Sequence, residues 1–210
     1  MISLIHPSRG RPEQARKAYD EWLQNSAGDF EYFISIDTLD PKHAQYYQLF
    51  DEECILLNNN RSIVDAVNVA AKQSTGDIIV VMSDDFGCPR NWDEWIELEF
   101  KGVETPQLLH VHDTIQFEIC TLPILNRQFY DRVGYIYYGQ YFSMFADNDL
   151  TDVAKKLGAY VPAKHLTFEH RHYVNSKAKL DATYQRENSK EAWKIGEKVY
   201  KQRKLRNFDL

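Results

Sequence analysis

Apolar residues in the first half of the chain fall alternately into short unbroken runs and helical stripes. Ile2 to Ile5 reads as a buried strand, and the polar turn His6-Pro7-Ser8-Arg9-Gly10-Arg11 leads to Pro12, a residue suited to the first turn of a helix. Ala15, Ala18, Tyr19, Trp22 and Leu23 then recur at helical spacing, which predicts a helix with one face on a sheet. Glu31 to Asp37 predicts a second strand, Pro41 to Phe50 a short helix and Cys54 to Leu57 a third strand. Ser62 is placed to cap a helix whose stripe is Ile63, Val67, Ala70 and Ala71, with Gly76 as its C-terminal stop. Ile78 to Met82 is a continuous apolar run, the pattern of a central strand covered on both faces, and it delivers Ser83, Asp84 and Asp85 to the strand's carboxyl end. This alternation predicts an α/β fold with a mostly parallel sheet, whose ligands bind beyond the carboxyl ends of the strands.

The second half is less regular. The pattern predicts a helix near Asn91 to Phe100, a strand near Leu108 to Val111, and a helix from about Asp149 to Leu157 stopped by Gly158. An extended stretch follows to His172, and Asn175 to about Leu205 reads as helical. With 210 residues, 43% of them hydrophobic, and no Pro-, Gly- or Ser-rich divider, one domain over 1–210 is expected. The longest apolar run, Ile78 to Met82, is far shorter than the roughly 20 residues of a membrane-spanning helix. The N-terminus has neither the basic start nor the apolar stretch of a signal peptide, so a soluble, cytoplasmic protein is expected. Cys54, Cys88 and Cys120 form no CxxC pair and are expected to be reduced. The 25 basic and 31 acidic residues give a net charge of −6, against a surface dominated by nucleic-acid contacts. The tail departs from this average: Lys190, Lys194, Lys198, Lys201, Arg203, Lys204 and Arg206 make either a solvated helix face or a patch for a polyanion.

Adjacent carboxylates directly after an apolar strand repel each other unless cations or hydrogen bonds compensate. A divalent ion with oxygen ligands does this economically at Asp84 and Asp85. Arg9, Arg11 and Arg61 lie at strand-to-helix turns on the same edge, where guanidinium groups can hold phosphate oxygens or simply carry surface charge. Asp37, at the end of the second strand, is placed to cap a helix or to form a turn. Phe168-Glu169-His170-Arg171-His172 puts two histidines on one side of an extended segment. Trp92 and Trp95 read as core or pocket wall.

The segment Asn58-Asn59-Asn60-Arg61-Ser62, with Thr75-Gly76-Asp77 and the strand ending Ser83-Asp84-Asp85, closely resembles family-2-like GT-A glycosyltransferases. The resemblance runs over roughly residues 1 to 172. It implies a Rossmann-like mixed sheet flanked by helices, with 1–115 as the nucleotide-sugar-binding half, 116–174 as the acceptor-side half and 175–210 as a basic helical tail. Ser83-Asp84-Asp85 takes the place of the family's Asp-x-Asp motif, with Ser83 where a first carboxylate often stands. The resemblance makes Asp85 a ligand of Mn²⁺ or Mg²⁺ and gives Asp84 the ribose or a metal-bound water. It also implies nucleotide contacts for Asp37, for Arg61 and for the entrance His6-Pro7-Ser8. His170 matches a late metal ligand. Asp147, in Phe145-Ala146-Asp147-Asn148-Asp149-Leu150, matches the carboxylate that deprotonates the acceptor, although Asp149 is an alternative or a helix cap.

The implied activity is inverting transfer of a hexosyl or pentosyl group from a nucleotide-diphosphate sugar to a hydroxyl of a polysaccharide, a protein or modified DNA. A nucleotidyltransferase is the rival enzyme, although the Ser8-Arg9-Gly10-Arg11 turn makes a poor triphosphate loop. A non-catalytic nucleotide or nucleic-acid binding module using the basic tail is the rival outside enzymes.

Overall fold

A computed structural model describes residues 1–210. Seven strands form one sheet in the order β3-β2-β1-β4-β6-β5-β7. They are β1 (Ile2–Pro7), β2 (Glu31–Asp37), β3 (Ile55–Asn58), β4 (Ile78–Val81), β5 (Leu108–His112), β6 (Ile124–Asn126) and β7 (Tyr160–Thr167). Only β6 runs against the rest, antiparallel to both β4 and β5. The other pairings are parallel.

Side chains of the central strands alternate between two cores. Ile5, Ile79, Val81, Leu108 and Leu125 enter one, together with Val67 and Ala71 of α3 (Ile63–Gln73) and Leu150 and Val153 of α6 (Ala146–Lys156). Leu4, Val80, Leu109 and Ile124 enter the other, with Trp22 of α1 (Pro12–Gln24) and Trp92, Ile96 and Phe100 of α4 (Trp92–Phe100). Each fully buried aliphatic side chain contributes about 1.5–3 kcal/mol, so the Ile-Ile-Val-Val run of β4 holds the strand that presents the aspartates.

Several boundaries differ from the expectation for physical reasons. Gly76 has no left-handed backbone; α3 already ends at Ser74, and a Cβ at Gly76 would lie 2.7 Å from the Ser3 backbone nitrogen. Close approach to β1 therefore requires that glycine. The expected helix at Pro41 to Phe50 is only α2 (His43–Tyr46). Trp92 is core, but Trp95 and Leu23 face solvent. In the second half, β6 and α5 (Arg127–Val133) occupy a stretch whose pattern is too short to read, and Asn126 caps the helix by accepting from the Phe129 N–H at 3.1 Å. The expected helix from Asn175 to Leu205 is divided into α7 (Ala182–Glu187) and α8 (Lys190–Leu205), because Asp181 and Ser189 each cap a new start. No helix is long and apolar enough to cross a membrane.

The chain moves outward from β1 through β2 to β3, then returns to place β4 on the other side of β1. This reversal opens a crevice at the carboxyl ends of β1 and β4. Trp22 pins its rim: the indole N–H donates to the Phe86 carbonyl at 2.9 Å, directly after the aspartate pair.

Candidate active site

A cleft of about 700 Å³ lies over the carboxyl edge, lined among others by Ser8, Asp37, Asp84, Asp85, Asp147 and His170. The Asp84 side chain lies at the floor of the cleft, largely covered, 2.9 Å from Nε2 of His6, whose Nδ1 lies 2.9 Å from the Tyr32 hydroxyl. His6 is fully buried beneath the cleft instead of lining it; Pro7 and Ser8 line it. Arg11 balances the Asp84 charge at 3.9 Å.

Asp85 faces the cleft. Ser83 donates to its Oδ1, and the Tyr184 hydroxyl donates to Oδ2 at 2.8 Å. The serine in the first position of the motif thus orients the last carboxylate. Burial opposes charge on Asp85, yet His170, Ser83 and Tyr184 outweigh it and hold the carboxyl well below the usual range.

The two histidines arrive on a segment that pairs with the strand end beside them. Gly87 and Glu169 exchange backbone hydrogen bonds at 2.9 and 3.1 Å, and the Arg171 N–H donates to the Asp85 carbonyl at 2.7 Å. Arg171 is clamped outward onto Glu21 of α1, at 2.6 and 2.8 Å, and onto Glu169. A Cβ on Gly87 would run into that guanidinium. His170 and His172 therefore both turn toward Asp85, and one ligand atom from each of the three lies within 4.8 Å of the others. Nε2 of His170 is 3.3 Å from Asp85 Oδ2, and its ring stacks on Phe86 at 4.2 Å. Burial works against charge on His170, but Asp113 and Asp85 prevail and raise it to about 9. Protonated, the imidazole compensates this acidic cluster; deprotonated at Nε2, it offers a ligand atom beside Asp85.

Asp147, in the first turn of α6, lines the same cleft. Burial pushes its carboxyl up to about 6, offset in part by Tyr137 and His170. Asp149 is no alternative: it lies 1% exposed, bonded to Arg203 at 2.9 Å and to the Tyr141 hydroxyl at 3.0 Å. Nor does it cap a helix, since α6 begins at Ala146.

Asp37 accepts from the Leu39 N–H at 2.9 Å and pairs with Arg9, so the two line the β2 side of the cleft together. Arg61 does not join them. Its guanidinium is 72% exposed and bonds Asp65 at 2.6 Å, one helical turn on.

Arg11, a candidate for phosphate oxygens, lines the cleft but is engaged within the protein, and two further groups at the site carry no motif. Arg11 forms a two-point bridge to Asp181, at 2.7 Å on each arm, and lies 4.0 Å over the Tyr184 ring. Tyr184 itself comes from α7, about a hundred residues after Asp85, and nothing in the local pattern marks it. Asp113 directly follows β5, the same acid-after-strand signal that Asp37 carries, and this placement could have identified it. The basic tail is thinner than its sequence suggests, because Arg203 is 1% exposed and committed to Asp149.

No protein-family model matches the chain, and no curated protein matches it by sequence. Comparison with solved structures is informative. S. aureus TarS superposes with a TM-score of 0.63 at 12% identity over 80% of this chain and 36% of its own. The Pyrobaculum calidifontis mannosyltransferase PcManGT, solved with GDP-Man and Mn²⁺, gives 0.61 at 12% over 80% of this chain and 56% of its own. Drosophila β-1,4-galactosyltransferase 7, solved with manganese, UDP-Gal and xylobiose, gives 0.57 at 14% over 90% of this chain and 79% of its own. The chain has the GT-A fold. It spans 36% and 56% of the TarS and PcManGT chains, so the GT-A fold is what these likenesses establish.

Proposed function

We propose that the protein is a metal-dependent glycosyltransferase that moves a sugar from a nucleotide-diphosphate donor to an acceptor hydroxyl with inversion. The observation that carries the reading is the convergence of Asp85, His170 and His172 on one point of a cleft that Asp147 also lines. The donor set fits a divalent ion: it combines a carboxylate with two imidazoles, and Nε2 of His170 already lies 3.3 Å from Asp85 Oδ2. Nitrogen donors favour Mn²⁺ over Mg²⁺, which prefers oxygen and water. When bound there, the ion neutralises charge that develops on the leaving diphosphate.

The chain's own residues do the rest. Ser83 and Tyr184 hold Asp85 in register, His6 and Arg11 hold Asp84 toward the ribose side, and Asp37 with Arg9 forms the nucleotide end. Asp147 accepts the proton of the acceptor hydroxyl as the oxygen attacks the anomeric carbon from the face opposite the diphosphate. A carboxyl raised to about 6 suits this role, since it is ionised at neutral pH yet more basic than a free aspartate.

Calorimetric titration of UDP and GDP, with and without MnCl₂, tests the donor side. Binding of one nucleotide that requires Mn²⁺ in the wild type and disappears in Asp85→Ala is expected. Equal binding in both proteins would refute the assignment.

A further inference from the structure

If His170 ligates an ion beside Asp85, its Nε2 must offer a lone pair, and the proton must then sit on Nδ1. What faces Nδ1 decides the tautomer. Nδ1 is buried and without a hydrogen-bond partner, and Oδ2 of Asp113 lies 3.8 Å from it. Asp113 is 2% exposed, and its ion-pair partner is His170.

The carboxylate is held by groups that do not neutralise it. Its Oδ1 accepts from the N–H groups of Ile115 at 2.8 Å and Gln116 at 2.6 Å, and its Oδ2 accepts from the Thr121 hydroxyl at 2.5 Å. The turn so formed forces Thr114 to a φ of +70°, which a β-branched residue rarely adopts. From the other side, the His170 N–H donates to the Asp113 carbonyl at 3.1 Å, and the imidazole lies flat against Phe86. A strained turn thus fixes a buried anion beside the unpartnered nitrogen of a histidine whose other nitrogen meets Asp85.

We propose that Asp113 is a positioning residue of the metal centre, holding the proton on Nδ1 of His170 so that Nε2 points its lone pair at the ion. This rests on the metal site proposed above. Carboxylates that accept from the far nitrogen of a metal-bound histidine tune affinity by about 10–100-fold. Asp113→Asn keeps an acceptor for the loop N–H groups but places an N–H toward His170, which favours the tautomer with Nε2 blocked. Thr121→Val leaves the carboxylate and removes one of its three anchors.

The test is titration with MnCl₂ alone, reading free Mn²⁺ by electron paramagnetic resonance, for wild type, Asp113→Asn, Thr121→Val and Asp85→Ala. Melting of the metal-free proteins is measured alongside. The expected result is loss of binding in Asp85→Ala, a Kd about 10–100-fold weaker in Asp113→Asn, and a smaller weakening in Thr121→Val, whose metal-free form still melts cooperatively. Loss of binding in Asp85→Ala with both other variants within about twofold of wild type overturns the role of Asp113 and leaves the metal site standing. Undiminished binding in Asp85→Ala overturns both. If Asp113→Asn does not fold, Thr121→Val decides alone.

Discussion

Asp147 carries the sharpest prediction at the scale of single residues. A base with a carboxyl at about 6 loses activity as pH falls through that value, so the acidic limb of kcat/KM in the wild type should lie near pH 6. Asp147→Asn should keep donor binding and lose transfer by about 10²–10⁴-fold, measured by product formation at saturating donor. The same raised carboxyl has a stability consequence. A folded-state value above the unfolded one means that the native protein holds this proton more tightly, so the ionised carboxylate lowers stability once pH passes the unfolded value, fully so above about 6. Asp147→Asn should therefore melt higher at pH 8 by about 2–4 °C, the shift that roughly 1 kcal/mol produces in a chain of this length, and the gain should vanish near pH 4. A variant that melts lower at pH 8 would mean that Asp147 is structural.

Among the elements, α7 and α8 do different work. The α8 helix is fastened to α6 through the buried pair of Arg203 and Asp149, which also takes in Tyr135 and the Phe208 carbonyl. Removing the guanidinium strands a buried carboxylate, so Arg203→Ala should cost about 3–5 kcal/mol in denaturant melts, more than Lys198→Ala on the exposed face. The α7 helix instead closes over the cleft, through Arg11 with Asp181, Thr183 to the Arg9 carbonyl, and Arg186 to the Arg61 carbonyl at 2.6 Å. Asp181→Ala should raise hydrogen exchange in residues 181–188 and leave α6 and α8 unchanged; unaltered exchange would show that the bridge does not hold α7.

What could be read from the sequence at this scale follows burial. Strands β1, β2 and β4 and the cap at Ser62 were legible because unbroken apolar runs and a polar cap leave few other interpretations. The β6–α5 stretch and the split at Ser189 were not, since a three-residue strand and a cap within a polar helix carry almost no periodic signal. At the site, Asp85, His170 and Asp147 were legible from short motifs on one segment each. Tyr184 and Asp113 act through partners far away in the chain, and only the assembled sheet edge brings Tyr184 to Asp85 and Asp113 to His170. Arg61 misled because a strand-to-helix turn places the backbone at the cleft without fixing where a long side chain points.

Across the whole molecule, the parts form one dependency. The sheet reversal between β2 and β4 opens the crevice, the buried β4 run carries Asp84 and Asp85 to its mouth, and the Gly87–Glu169 pairing brings two histidines to meet them. The α6 helix lines the same cleft with Asp147, the proposed base. The most direct measurement is release of nucleotide diphosphate from UDP- and GDP-sugars by the wild type with MnCl₂, with EDTA, and by Asp85→Ala. Turnover of at least one donor with Mn²⁺, lost in both EDTA and Asp85→Ala, is the predicted result. Turnover that persists unchanged in EDTA and in Asp85→Ala would contradict it.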